Sequence, residues 1–180
     1  MSNSEDITPA VETRRLPSPD RHSAPTPLDV RQAKFSTEMR GYERALREAR
    51  IELAPELVRG GDFRETAGLT MTRELLDLPD PPSAIFAVNN LTTIGVLGAL
   101  RERRIEVPAD MSVVGFDDLP TAELLHPPLT VVEQPTYRVG ARAADLLIRR
   151  LREPDAAVKE VVLAARLIVR GSTAPLRAPR

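Results

Sequence analysis

The side chains best suited to chemistry in this chain of 180 residues come as two adjacent pairs, Asn89–Asn90 and Asp117–Asp118, each closing a short apolar run. Amides both donate and accept hydrogen bonds and carboxylates accept them, so the four together would suit a ligand rich in hydroxyls or amines. A Mg²⁺ shared by Asp117 and Asp118 is disfavoured, because neighbouring residues at a strand end point to opposite faces. Phosphate-cradling loops of the GxGxxG or GxxxxGKS/T type are lacking, and there is no Cys. Of the two His, His22 has no His, Cys or acidic partner at metal-ligand spacing and His126 reads as a loop residue. These residues argue for binding rather than catalysis, with no metal and no cofactor expected.

Elements of two periods must position those pairs. Ser83 to Val88 (SAIFAV) and Met111 to Phe116 (MSVVGF) are short, nearly all-apolar runs, as expected of strands covered on both faces in a parallel sheet. Between them Leu91, Ile94, Val96, Leu97 and Leu100 fall mostly at helical spacing, and Arg101, Arg103 and Arg104 gather where cations suit a helix C-terminus. Strand, helix and strand thus bring NN and DD to one rim, the C-terminal edge where open α/β sheets bind ligands. Elsewhere the pattern predicts helices over Arg31–Arg50, Thr66–Leu78 and Tyr137–Leu151. It predicts strands over Leu57–Arg59 and Leu129–Val132, and extended chain within Val161–Val169. The fold class is α/β.

Composition bounds the partners. With 25 basic against 26 acidic residues, bulk charge makes no case for nucleic acid or a membrane surface. No apolar run approaches the ~20 residues that span a bilayer, and the N-terminus has no apolar signal core. The lack of Cys fits a cytoplasmic protein. Residues 1–30, with Pro9, Pro17, Pro19, Pro25 and Pro27 and no period, read as a disordered tail in which Arg14, Arg15 and Arg21 are offset by Glu12 and Asp20. Residues 31–175 read as the folded domain and 176–180 as a tail.

The ordered segments PPSAIFAVNN, IGVLGALRERRIEVPADMSVVGFDD, HPPLTVVEQP and VGARAADLLIRRL resemble the C-terminal half of the sensor domain of the LacI/GalR family of bacterial transcriptional repressors. The resemblance runs from about Arg40 to Pro175. It implies a lobe like that of the type I periplasmic sugar-binding proteins, a parallel sheet flanked by helices, with a small-molecule effector, a sugar foremost. It further implies effector contacts at Phe63, Asn89, Asn90, Asp117, Asp118 and Gln134. Glu38 stands where the family commonly carries an arginine that reaches the effector, three residues before Gly41. Asn90 replaces the usual aspartate, which keeps the shape and removes the charge.

A complete member of the family would also carry a helix-turn-helix, a first lobe and a strand just before the GYERAL helix, none of which is legible here. The resemblance therefore implies a truncated sensor whose contact with DNA belongs to an absent domain, and which in the intact family is a homodimer. It also implies that the Leu57 and Ser83 strands lack a common neighbour and that the apolar face of the Tyr137 helix is exposed. Two other readings are a non-DNA-binding partner of a full-length repressor, or an inactive gene fragment, and a small α/β enzyme.

Overall fold

A computed structural model describes residues 39–175. The expected tail 1–30, the start of the first helix with Glu38, and residues 176–180 lie outside the described residues. Those described fall into two compact units, one of 39–132 with 167–175 and one of 133–166.

The larger unit opens with helix α1 over 39–48. The strand expected at Leu57–Arg59 is instead a single 3-10 turn, Pro55–Leu57. Pro55 presets φ for the turn, and Leu57 N and Val58 N donate to Ala54 O and Pro55 O, so little chain is left for a ladder before Gly60 and Gly61. Helix α2 (Glu65–Leu76), strand β1 (Ala84–Phe86), helix α3 (Asn90–Glu102) and strand β2 (Ser112–Phe116) follow close to their predicted bounds. Strand β3 (Thr130–Glu133) and strand β4 (Arg166–Ile168) complete a sheet of order β1-β2-β3-β4.

The first three strands are parallel, with Ile85 opposite Val113 and Gly115 opposite Val131. Their buried side chains, Ile85, Val113 and Val131, pack with Val96 and Leu100 of α3, Met111 and Leu129 into one core. The expectation that the first two runs are covered on both faces is corrected here. In β1 only Ile85 is buried, and in β2 burial alternates, so the opposite face carries Phe86, which is exposed, and the half-buried Val114 and Phe116. Those two rings meet edge to face, with centroids 6.3 Å apart.

Helices α2 and α3 cross at contact distance because Gly68 and Gly95 have no side chain at the crossing. A Cβ on Gly68 would stand 2.5 Å from Thr92 O, and one on Gly95 would collide with Glu65 O and Leu69 N. The last described residues are stitched to the sheet. Ser172, 1% exposed, donates from Oγ to Val113 O at 2.6 Å and accepts from Thr130 N at 2.8 Å.

The smaller unit holds helix α4 (Thr136–Arg152), which has no buried residue. Val139, Leu147 and Leu151 of its apolar face are 45%, 61% and 73% exposed, as the sequence led one to expect.

Candidate functional site

The site grows from the ends of β1 and β2. Just past β1, Asn89 takes extended geometry (φ −162°) and caps α3, its Oδ1 accepting from Thr92 N at 2.8 Å while the Thr92 hydroxyl faces the Asn89 amide in return. Asparagine is among the best residues for this, since the cap oxygen satisfies an amide the helix cannot. The cap sets the direction of α3 and hence the place of Asn90, its first residue.

Asn90 points across the rim. With its amide nitrogen turned toward β2, it donates to Phe116 O and to Asp117 O, each at 3.1 Å. Asp117 adopts a left-handed conformation (φ 69°) and its N–H donates to Val132 O at 2.9 Å, the last rung between β2 and β3 before the chain turns away. NN and DD therefore do share one edge of the sheet, joined by a direct hydrogen bond.

Phe63 joins the group from the loop before α2. Its backbone is also left-handed (φ 63°), which is strained for a bulky side chain. Asp62 frames it through an Asx-type turn, Oδ1 accepting from Arg64 N at 3.1 Å, and Asn89 Nδ2 donates to Phe63 O at 2.8 Å. The half-buried ring lines a cavity of about 350 Å³ beside the outer edge of β1, with Tyr42, Met71, Phe86 and Val88 also in its wall. Neither Asn90 nor Asp117 lines that apolar cavity. Hydrogen-bonding capacity sits on the rim, and the rim is the better candidate for a polar ligand.

Other residues expected to contact the effector have partners within the chain. The Asp118 carboxylate is held by Arg170 in a two-pronged ion pair of 2.9 and 2.7 Å, with Arg170 also donating to Leu129 O at 2.9 Å. Asp118, whose side chain is 20% exposed, is thus an anchor for the C-terminal segment. The pairing with Asp118, together with Glu123, raises the Arg170 pKa, burial opposing it. Both ends of the Asn89 amide are likewise engaged internally. Gln134 belongs to the smaller unit, half-buried, with its carbonyl accepting from Thr136 N at 2.8 Å. Arg170 and Ser172 escaped the sequence reading because a lone Arg or Ser in a polar tail carries no period. The Phe86–Phe116 pair had a signal, since both residues stand at the ends of apolar runs.

Among the described residues no group of three or more His, Asp or Glu is placed to hold a metal ion. None of their helices is long and apolar enough to cross a membrane.

Parallel strands with a helix between them and a polar rim at their C-terminal ends define an α/β lobe with one open, polar sheet edge. The model of the periplasmic binding protein-like domain matches residues 27–173, and the chain belongs to that family. Within it the chain is a sensor domain of the LacI/GalR type. It is 35% identical over 138 residues to the HTH-type transcriptional repressor CytR of Escherichia coli (strain K12), an alignment covering 77% of this chain and 40% of that protein. A solved complex of the transcriptional regulator CelR with cellobiose superposes with a TM-score of 0.69 at 40% identity, over 74% of this chain and 41% of that one. A LacI family transcriptional regulator from Enterococcus faecium with bound ribose does so with a TM-score of 0.68 at 31% identity, over 77% and 51%. The chain thus spans about half the length of these relatives, or less.

Proposed function

We propose that this chain senses a small polyhydroxylated effector, a sugar, as part of a cytoplasmic LacI/GalR-type transcriptional regulator, and that it is not an enzyme. The observation that carries this reading is the rim itself. Asn90 and Asp117 meet across the ends of β1 and β2, and the Phe63 loop is bonded to the same junction. A sugar offers several hydroxyl donors and an apolar ring face; the rim offers amide and carboxylate oxygens, and the loop bonded to it carries the aromatic Phe63. The relatives solved with cellobiose and with ribose support that ligand class. Control of transcription is then a property of the whole regulator.

The test is thermal denaturation against D-ribose and cellobiose. A ligand at a hundred times its Kd stabilises by about 2.7 kcal/mol, a shift of several degrees. We expect at least one sugar to raise Tm, and Phe63→Ala and Asn90→Ala to remove the rise without loss of helix content. A full shift in both variants would place the ligand elsewhere.

A second reading, pairing with another regulator chain, is favoured by α4, whose apolar residues are exposed along its length. Sedimentation of the chain alone and mixed with a full-length regulator tests it, and a monomer in both runs would count against it.

A further inference from the structure

The Asn89 amide does more than cap a helix. Capping needs only an oxygen, and Ser, Thr or Asp would supply it. Asn89 spends its oxygen on Thr92 N at 2.8 Å and on the Thr92 hydroxyl at 2.6 Å. Its nitrogen, which a cap leaves idle, donates to Phe63 O at 2.8 Å. Asparagine carries its acceptor and its donor on two separate atoms of one short, planar group, so it can cap with one and reach a second partner with the other. The bond lands on a residue in the left-handed region, where a phenylalanine does not rest unless it is held. The loop it holds begins with Gly60 and Gly61, which resist little by themselves.

We propose that Asn89 is a positioning residue that acts through Phe63. One planar amide fixes the start of α3, which carries Asn90, and also fixes the carbonyl of the residue that supplies the aromatic ring, so the ring and the polar rim are set at one spacing. As a statement about the ligand site this rests on the sugar-sensor reading above. The hydrogen bond and its effect on the loop do not depend on it.

Asn89→Asp separates the two roles. Aspartate caps as well as asparagine and its charge suits a helix N-terminus, but it turns an acceptor toward Phe63 O. Hydrogen–deuterium exchange of the intact chain is read in two stretches, 61–66 around Phe63 and 91–96 at the start of α3. We expect Asn89→Asp to speed exchange in 61–66 at least tenfold while 91–96 stays as protected as in the parent. Asn89→Ala, which lacks both functions, should speed both. Protection of 61–66 equal to that of the parent in Asn89→Asp overturns the proposal, as does loosening of 91–96 alone.

Titration with D-ribose and with cellobiose gives the second arm. Where the parent binds either sugar, Asn89→Asp should weaken it at least tenfold, and unchanged binding overturns the proposal while leaving the sensor reading intact. Where the parent binds neither, the sensor reading fails, and the exchange result alone decides whether Asn89 positions Phe63.

Discussion

With its amide nitrogen turned toward β2, the Asn90 side chain donates to the backbone carbonyl of Asp117 at 3.1 Å and to Phe116 O at the same distance. The bond ties the first turn of α3 to the end of β2, and it makes this position sensitive to the choice between amide and carboxylate. Asn90→Asp would gain about 0.3–1 kcal/mol from a negative charge at the helix N-terminus. It would lose two donors worth about 0.5–1.5 kcal/mol each and set a carboxylate against two carbonyl oxygens. The loss is the larger, so Tm at neutral pH should fall by several degrees. A Tm at or above that of the parent would show that the amide nitrogen does not face β2.

The crossing of α2 and α3 predicts opposite outcomes for two glycines of one helix. A methyl on Gly95 meets the backbone of Glu65 and Leu69, which cannot step aside, whereas one on Gly98 meets only Leu69 Cδ1 at 3.4 Å. Alanine gains up to about 1 kcal/mol of helix propensity at either site. At Gly95 overpacking of about 1–3 kcal/mol or more outweighs that gain. Chemical denaturation should therefore find Gly95→Ala destabilised and Gly98→Ala unchanged or slightly stabilised. Equal midpoints for the two variants would refute the close crossing.

Why the sequence disclosed some of this and not the rest follows from the range of the forces involved. The SAIFAV and MSVVGF runs and the helix between them were legible because burial imposes a period on neighbouring residues. The rim followed from topology alone, since parallel strands joined by a helix must end on the same side. The strand expected at Leu57–Arg59 failed because Pro55 drew its first residue into a turn, a local effect outweighing a weak apolar signal. The partner of Asp118 was hidden because Arg170 is 52 positions away and nothing local marks it. Phe63 could be named from resemblance, but its left-handed backbone could not, since one of the hydrogen bonds at that turn comes from Asn89, 26 positions away.

The Asp118–Arg170 pair predicts a pH dependence by its sign. Asp118 raises the guanidinium pKa in the folded chain, so the contribution is fully present below the unfolded value and is lost only as pH rises through the folded one. Both values lie above the pH at which the protein would be studied, and the arginine end of the pair is insensitive to alkali in any ordinary buffer. Asp118→Ala should cost about 1.5–3 kcal/mol, the usual range for a charged hydrogen bond. The Tm difference between parent and variant should stay constant from neutral pH to about pH 10. A gap that closes across that range would mean that another group holds Asp118.

Ser172 offers the sharpest test of how the C-terminal segment is held. Its hydroxyl joins β2 to β3 from outside the ladder, accepting from Thr130 N at 2.8 Å and donating to Val113 O at 2.6 Å, while its own carbonyl accepts from Val113 N at 2.8 Å. Alanine would keep the backbone bond and leave a buried N–H and a buried C=O without the hydroxyl. Each such group costs about 1–3 kcal/mol, so Ser172→Ala should lose about 2–6 kcal/mol in urea denaturation. The neighbouring Thr173 is the control. Its hydroxyl lies 3.4 Å from Thr130 Oγ1, too long for a strong bond, and Thr173→Ala should stay within about 0.5 kcal/mol of the parent. If the two variants lose stability equally, the segment is held by its backbone and apolar contacts, and the serine bridge contributes nothing of its own.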